Sequence, residues 1–266
     1  MDYEKEYGLT LSPLEKSRLK EMEESAAICA KCQGLPCRKR TYRELMPCAK
    51  VCLGRVYFDS DECRYKQEAR RQRALAEKVS QSGIPAIYRR KSYSDYVEIS
   101  ENNSAARLAA QEYLETESDH WLYIWGGCGT GKTFLASLIA KEWIEHVGDA
   151  QFTTFQNILE ELKSSFDDKQ IKASGIMGQY LNCDLLVLDD VGTGYFSDWG
   201  VAIFYWLINE RYNAVKPTVL TSNYSMEELR ERLVSKDAYS GARIISRLRQ
   251  MCQILYMGEY DFRAFW

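Results

Sequence analysis

The sequence predicts an α/β protein: a parallel sheet flanked by helices, preceded by a small helical, cysteine-rich domain. Three observations predict it. Short apolar runs alternate with amphipathic stretches through the second half of the chain, the pattern of strand–helix–strand units. A glycine-rich loop, Gly126-Gly127-Cys128-Gly129-Thr130-Gly131-Lys132-Thr133, joins one such run to a helical stretch. Six of the nine cysteines (Cys29, Cys32, Cys37, Cys48, Cys52 and Cys63) fall in the first quarter of the chain.

The composition is consistent with this. A chain of 266 residues holds one or two domains, and a 45% apolar fraction is enough for a sizeable core. A net charge of −3 gives no global attraction to nucleic acid or membrane. No apolar run is long enough to span a bilayer, and the opening MDYEKEYGLT is too charged for a secretory leader. A cytoplasmic location is therefore expected, where thiols stay reduced and clustered cysteines favour a metal over disulfides. Cys128, Cys183 and Cys252 are scattered and read as small apolar fillers.

In chain order, Ser12-Pro13-Leu14-Glu15 reads as a capping box with proline at the first helical position. Leu14, Leu19, Met22 and Ala26 then follow at roughly helical spacing, giving one buried face. After the cysteines a second helix is expected from Asp61 to Val79. The stretch from Arg64 to Lys91 carries nine Lys/Arg against Glu68 and Glu77, a local charge of +7, which reads either as a solvated face or as a phosphate- or partner-contacting surface. The polar run Ser80-Gln81-Ser82-Gly83-Ile84-Pro85 divides the chain into domains 1–80 and 81–266. Downstream, strands are expected at Trp121–Trp125, Leu185–Leu188 and Thr218–Thr221, and helices at Thr133–His146, Gln156–Phe166 and Gly200–Tyr212.

The loop from Gly126 to Thr133 satisfies G-x-x-x-x-G-K-[ST], with an apolar strand before it and a helix opening at Thr133-Phe134 after it. Its chemistry needs these residue types. Glycines let backbone N–H groups curl around phosphate oxygens, and the helix N-terminus adds positive potential. Lys132 is suited to the β- and γ-phosphates of ATP, and the Thr133 hydroxyl to Mg²⁺. The apolar run Leu185–Leu188 ends in Asp189-Asp190, at the strand end where a parallel sheet places its ligands. Asp189 is the candidate for the magnesium and Asp190 for the attacking water. The third strand ends at Ser222-Asn223, where Asn223 either touches the γ-phosphate or the attacking water, or caps a turn.

Several segments together resemble bacterial and phage helicase loaders of the DnaC/DnaI type, which are AAA+ ATPases. Asn209-Glu210-Arg211-Tyr212-Asn213-Ala214-Val215-Lys216-Pro217-Thr218-Val219-Leu220-Thr221-Ser222-Asn223 is similar to their sensor-1 region. Gly241-Ala242-Arg243-Ile244-Ile245-Ser246-Arg247-Leu248 resembles their arginine-finger box, and Gly258-Glu259-Tyr260-Asp261-Phe262-Arg263 their closing sensor-2 segment. The segment from Ile84-Pro85 to Tyr96 resembles the approach to their AAA+ domain. The resemblance implies that Asn223 is sensor 1, that Arg247 acts in trans on a neighbouring subunit, and that Arg263 is the sensor-2 arginine. Arg243, four residues before Arg247, falls on the same helix face and is placed to share that role, whereas without the resemblance Arg243, Arg247 and Arg249 read as an exposed basic face. It further implies ATP-dependent self-association and a helical insertion used on single-stranded DNA. In that interval Phe152-Thr153-Thr154-Phe155 precedes Ile158, Leu159, Leu162 and Phe166. The aliphatic stripe reads as core, and an exposed Phe would stack on bases, worth about 1–3 kcal/mol per base.

Cys29-Ala30-Lys31-Cys32-Gln33-Gly34-Leu35-Pro36-Cys37 resembles the zinc-binding N-terminal domain of DnaI-type loaders, which docks on the helicase. There one ligand is a histidine. The two histidines here, His120 and His146, lie far away. The implied zinc set is Cys29, Cys32, Cys48 and Cys63, with Cys37 or Cys52 as alternates for the third ligand. Structural zinc suits thiolates in a closed tetrahedral site, and an iron–sulfur cluster also takes four cysteines. The expected function is an ATP-dependent loader placing a hexameric replicative helicase on single-stranded DNA. Its rivals are an IstB-type transposition helper, with a similar AAA+ domain, and a nucleotide-switched adaptor with incidental hydrolysis.

Overall fold

A computed structural model describes Pro13, Lys16, Ser17, Lys20 and residues 49–52, 55–58, 64–98, 100–115, 120–167, 173–194 and 196–262. The expected zinc ligands Cys29, Cys32, Cys48 and Cys63, the alternate Cys37 and the sensor-2 residue Arg263 lie outside the described residues. The chain forms two compact units, Met1–Glu77 and Lys78–Trp266.

In the first unit β1 (Ala49–Cys52) pairs antiparallel with β2 (Arg55–Phe58), Ala49 opposite Phe58 and Cys52 opposite Arg55. A purely helical domain was expected here, so the hairpin is a difference. Its residues Val51, Val56, Tyr57 and Phe58 are β-branched or aromatic, the types that fit a pleated surface. The helix expected from Asp61 to Val79 is α1 (Arg64–Gln81).

The second unit is a five-stranded parallel sheet with helices packed on it. After a short 3-10 turn at Tyr93–Asp95 come α2 (Glu101–Glu115), β3 (Trp121–Trp125), α3 (Lys132–His146), β4 (Ala150–Thr154), α4 (Phe155–Asp167), α5 (Ala173–Asn182), β5 (Leu185–Asp189), α6 (Asp198–Asn213), β6 (Thr218–Ser222), α7 (Met226–Val234), α8 (Ala238–Met251) and β7 (Cys252–Tyr256). The strand order is β4-β5-β6-β3-β7, with every pairing parallel. Strands β5 and β6 are buried along their whole length, as expected for interior strands covered on both faces. Trp121, Tyr123, Leu186, Leu188, Phe204, Leu207, Ile208 and Leu248 meet in one core. Among the described residues no helix is long and apolar enough to cross a membrane.

Local chemistry fixes the helix ends. Ser197 caps α6 by accepting from Gly200 N–H, Ser225 and Glu228 form a reciprocal capping box on α7, and Asp237 accepts from the first amides of α8. Glycine is required at Gly83, whose φ is +86° and where a Cβ would lie 2.1 Å from the Phe152 carbonyl oxygen. That close approach lets the Ser82 carbonyl accept from Phe152 N–H at 2.7 Å, tying the segment after α1 to the edge strand β4.

Of the phenylalanines between the loop and Asp189, Phe152 lies in strand β4 and Phe155 opens α4, and both are buried, so neither offers a ring to a base. The Phe166 side chain lies outside the described residues. Ile158, Leu159 and Leu162 are core, as their spacing implied. Arg211, noted only within the sensor-1 resemblance, is fully buried. Its Nε donates to Thr218 Oγ1 (2.9 Å), one Nη to the carbonyls of Tyr180 (2.8 Å) and Cys183 (3.2 Å), and the other to the Pro217 carbonyl. One cation thereby joins α6 to β6 and to the turn before β5.

Candidate nucleotide site

Strand β3 delivers the chain into the glycine loop, and α3 begins at Lys132, one residue earlier than expected. Gly129 (φ +75°) and Gly131 (φ +90°) take left-handed conformations that residues with a Cβ resist. The outer side of the loop is held by the segment after β7. Gly127 N–H donates to the Gly258 carbonyl (2.8 Å), and Phe262 N–H to the Gly129 carbonyl (3.1 Å). A Cβ on Gly126 would sit 2.6 Å from the Gly258 oxygen, so glycine is needed for this approach. Lys132 is buried, and its ammonium donates to the carbonyls of Gly126 (2.9 Å) and Gly127 (2.6 Å). Cys128 is exposed rather than a filler, because its position in the loop turns it out of the core. Cys183 is buried, as expected.

Strand β5 brings Asp189 to the same place. The Thr133 hydroxyl lies 3.0 and 3.2 Å from its two carboxylate oxygens, and Thr221 Oγ1 donates to Oδ1 at 2.6 Å. Burial pushes the Asp189 carboxyl up from its ordinary range, against the two hydroxyl donors that favour the ionised form. A carboxylate beside a hydroxyl is a hard-oxygen pair suited to a divalent cation.

Neighbouring residues in a strand point to opposite faces, yet Asp189 and Asp190 line one cavity. The backbone at Asp190 is left-handed (φ +57°), which ends the strand and breaks the alternation. Its N–H donates to Thr221 Oγ1 (2.8 Å), while its Oδ1 accepts from Asn223 Nδ2 (3.0 Å) and Thr193 Oγ1 (2.6 Å). Asn223 is thus directed onto the second carboxylate.

The cavity measures about 510 Å³ and is lined by residues from Cys128 to Phe134, by Asp189, Asp190 and Asn223, and by groups the sequence reading gave no role: Tyr88, Tyr96, Asn103, Thr221 and Phe262. The Tyr88 and Phe134 rings stack at 5.1 Å, and Tyr96 and Phe134 at 5.8 Å, forming an apolar wall that suits a flat base. Tyr88 and Tyr96 belong to the segment from Ile84 to Tyr96, and its tyrosines (with Tyr93) were the available signal. Thr221 carried none, being one of three hydroxyl residues in the strand Thr218–Ser222. Arg243 and Arg247 lie on α8 and do not line the cavity.

A parallel sheet, a glycine loop opening a helix and an aspartate at the end of a neighbouring strand define the class: a P-loop nucleotide-binding protein. More particularly, the chain belongs to the family of IstB-like ATP binding proteins, whose model matches residues 63–264. It is 26% identical over 172 residues to the replicative helicase loader DnaC of Escherichia coli (strain K12), covering 64% of this chain and 67% of that protein. It is 26% identical over 144 residues to the replicative helicase loader DnaI of Bacillus subtilis (strain 168), covering 52% of this chain and 46% of that protein. The crystal structure of the DnaC helicase loader superimposes with a TM-score of 0.57 at 25% identity, covering 65% of this chain and 99% of that one.

Proposed function

We propose that this chain is an ATP-hydrolysing loader that places a hexameric replicative helicase on single-stranded DNA in the cytoplasm. The reading is carried by the likeness to DnaC and DnaI in both sequence and fold. Two carboxylates and an asparagine around one P-loop cavity support the hydrolytic part.

In this reading the loop amides from Gly126 to Thr133 and the Lys132 ammonium bind the phosphate chain of ATP. Tyr88, Tyr96 and Phe134 take the base. Thr133 and Asp189 would hold magnesium, which would supply Lewis-acid polarisation of the phosphate chain. Asp190, oriented by Asn223, positions the attacking water and accepts its proton. Arg247 acts on the nucleotide of a neighbouring subunit, and Arg263 on the chain's own. Residues 1–80 form the helicase-docking domain, with structural zinc on Cys29, Cys32, Cys63 and one of Cys48, Cys37 or Cys52, while residues 81–266 form the ATPase domain.

The test is capture and turnover with the full chain. Immobilised protein should retain a purified replicative helicase in a nucleotide-dependent way, and steady-state ATP hydrolysis should respond to single-stranded DNA. One rival, an IstB-type transposition helper, shares the name of the matching family. Retention of a transposase and not of the helicase would establish that rival and end the loader reading.

A further inference from the structure

Helices α6 and α8 are joined by three polar rungs with a constant offset in sequence. Arg243 Nη1 donates to Tyr205 Oη (3.1 Å), Arg247 Nη2 to Asn209 Oδ1 (2.6 Å), and Tyr212 Oη to Gln250 Oε1 (2.9 Å). Each pair is separated by 38 residues, so the two helices run in the same direction and stay in register for two turns. The Arg247 guanidinium also lies over two rings, 5.3 Å from the Tyr205 centroid and 5.2 Å from that of Tyr212, and Arg243 lies 4.2 Å over Tyr239.

All of these partners are neutral. Among the described residues no carboxylate lies within ion-pair distance of Arg243 or Arg247, although Arg249 on the same helix pairs with Glu227. The ladder therefore holds two guanidiniums one helical turn apart, about 6 Å along the axis, and leaves their charge uncompensated. A guanidinium restrained through only part of its donor set keeps donors for an incoming anion. Arg247 Nε is buried and makes no hydrogen bond among the described residues.

We infer that Asn209 is the positioning residue for Arg247: it aims the guanidinium from α6 without neutralising it, so that it meets the triphosphate of a second copy of this chain already oriented. The Tyr205 and Tyr212 rings complete the clamp. This rests on the reading of Arg247 as a residue acting in trans. Asn209 touches neither substrate nor reacting atoms, and its contribution is pre-organisation, where a displacement of about 1 Å costs up to roughly a hundredfold in rate.

The experiment measures ATP turnover by full-length Asn209→Ala, Asn209→Asp and Arg247→Ala proteins, alone and mixed with excess Asp190→Asn chains, which bind ATP without hydrolysing it and keep intact arginines. Asn209→Ala should lose about ten- to a hundredfold in kcat with KM for ATP unchanged. Asn209→Asp, which keeps the acceptor but adds a negative charge beside Arg247, should lose at least as much. Adding Asp190→Asn chains should restore turnover at the intact sites of Asn209→Ala subunits. A fold defect would not respond in this way.

Wild-type kcat in Asn209→Ala overturns the inference, as does a loss that Asp190→Asn chains fail to restore. Wild-type kcat in Asn209→Asp overturns the importance of a neutral partner. If Asn209→Ala instead weakens retention of single-stranded DNA and leaves turnover intact, the uncompensated arginines serve a nucleic-acid backbone and the inference fails. Failure of the underlying reading is separable. In that case Arg247→Ala itself keeps wild-type turnover, whatever Asn209 does.

Discussion

Replacing Thr221 by valine removes one hydroxyl from the centre of the site and almost nothing else. Thr221 is 1% exposed, so the near-isosteric valine opens no cavity. Two hydrogen bonds disappear: the one donated to Asp189 Oδ1 at 2.6 Å, and the one accepted from Asp190 N–H at 2.8 Å. A hydrogen bond to an ionised carboxylate contributes about 1.5–3 kcal/mol, and a buried N–H stranded without a partner costs about 1–3 kcal/mol. Burying a methyl group in place of the hydroxyl offsets about 1 kcal/mol. The net loss is about 2–4 kcal/mol, read as a fall of roughly 10 °C in the unfolding midpoint for a domain of this size. Hydrolysis should fall as well, because Asp190 is held in its left-handed conformation through this hydroxyl. Thr221→Ser keeps the hydroxyl and should recover most of both losses. The assay is thermal unfolding with steady-state ATP turnover for the three proteins. A valine variant with the midpoint and turnover of the wild type would show that the hydroxyl does not bridge the two aspartates.

Arg211→Met should cost about 3 kcal/mol, since it strands buried carbonyls of Tyr180, Cys183 and Pro217, and denaturant unfolding checks this. Gly241→Ala should cost about 1–3 kcal/mol, because a Cβ there meets the Val234 nitrogen at 2.8 Å and the Leu233 carbonyl carbon at 2.9 Å. The same change displaces α8 and should reduce turnover more than it weakens ATP binding, a split that kinetics beside equilibrium binding would resolve. For alkylation, Cys128 is exposed on the phosphate loop, while burial pushes the Cys183 and Cys252 thiols up and away from the reactive thiolate. Peptide mapping after mild maleimide treatment should show Cys128 modified well before those two, and ATP with magnesium should protect it. Equal labelling of Cys128 and Cys252 would contradict the assigned burial.

How legible the fold was depended on how local its causes were. Strands β3, β5 and β6 are interior and buried on both faces, so Trp121–Trp125, Leu185–Leu188 and Thr218–Thr221 stand out as apolar runs. The edge strands β4 and β7 passed unread. Gln151, Thr153 and Thr154 in one and Gln253 in the other dilute the signal, since an edge strand is covered on fewer sides.

The site divides the same way. The glycine loop was readable because a phosphate cradle is built from consecutive backbone amides followed by a helix, so its chemistry is written in adjacent residues. The paired carboxylates were readable for the same reason, as was Asn223 at a strand end, and the structure places all three on one cavity. What the sequence alone determined, then, is a nucleotide loop with its aspartates and the three interior strands that carry them. The tertiary structure alone decided the rest. Thr221 bridges Asp189 and Asp190 only because β6 lies beside β5, and Tyr88 and Tyr96 reach Phe134 only when the preceding segment folds onto α3. Asn209 finds Arg247 across 38 residues because α6 and α8 run in register. Contacts between elements depend on how those elements pack, and one residue at a time carries no mark of the partner that packing will bring to it.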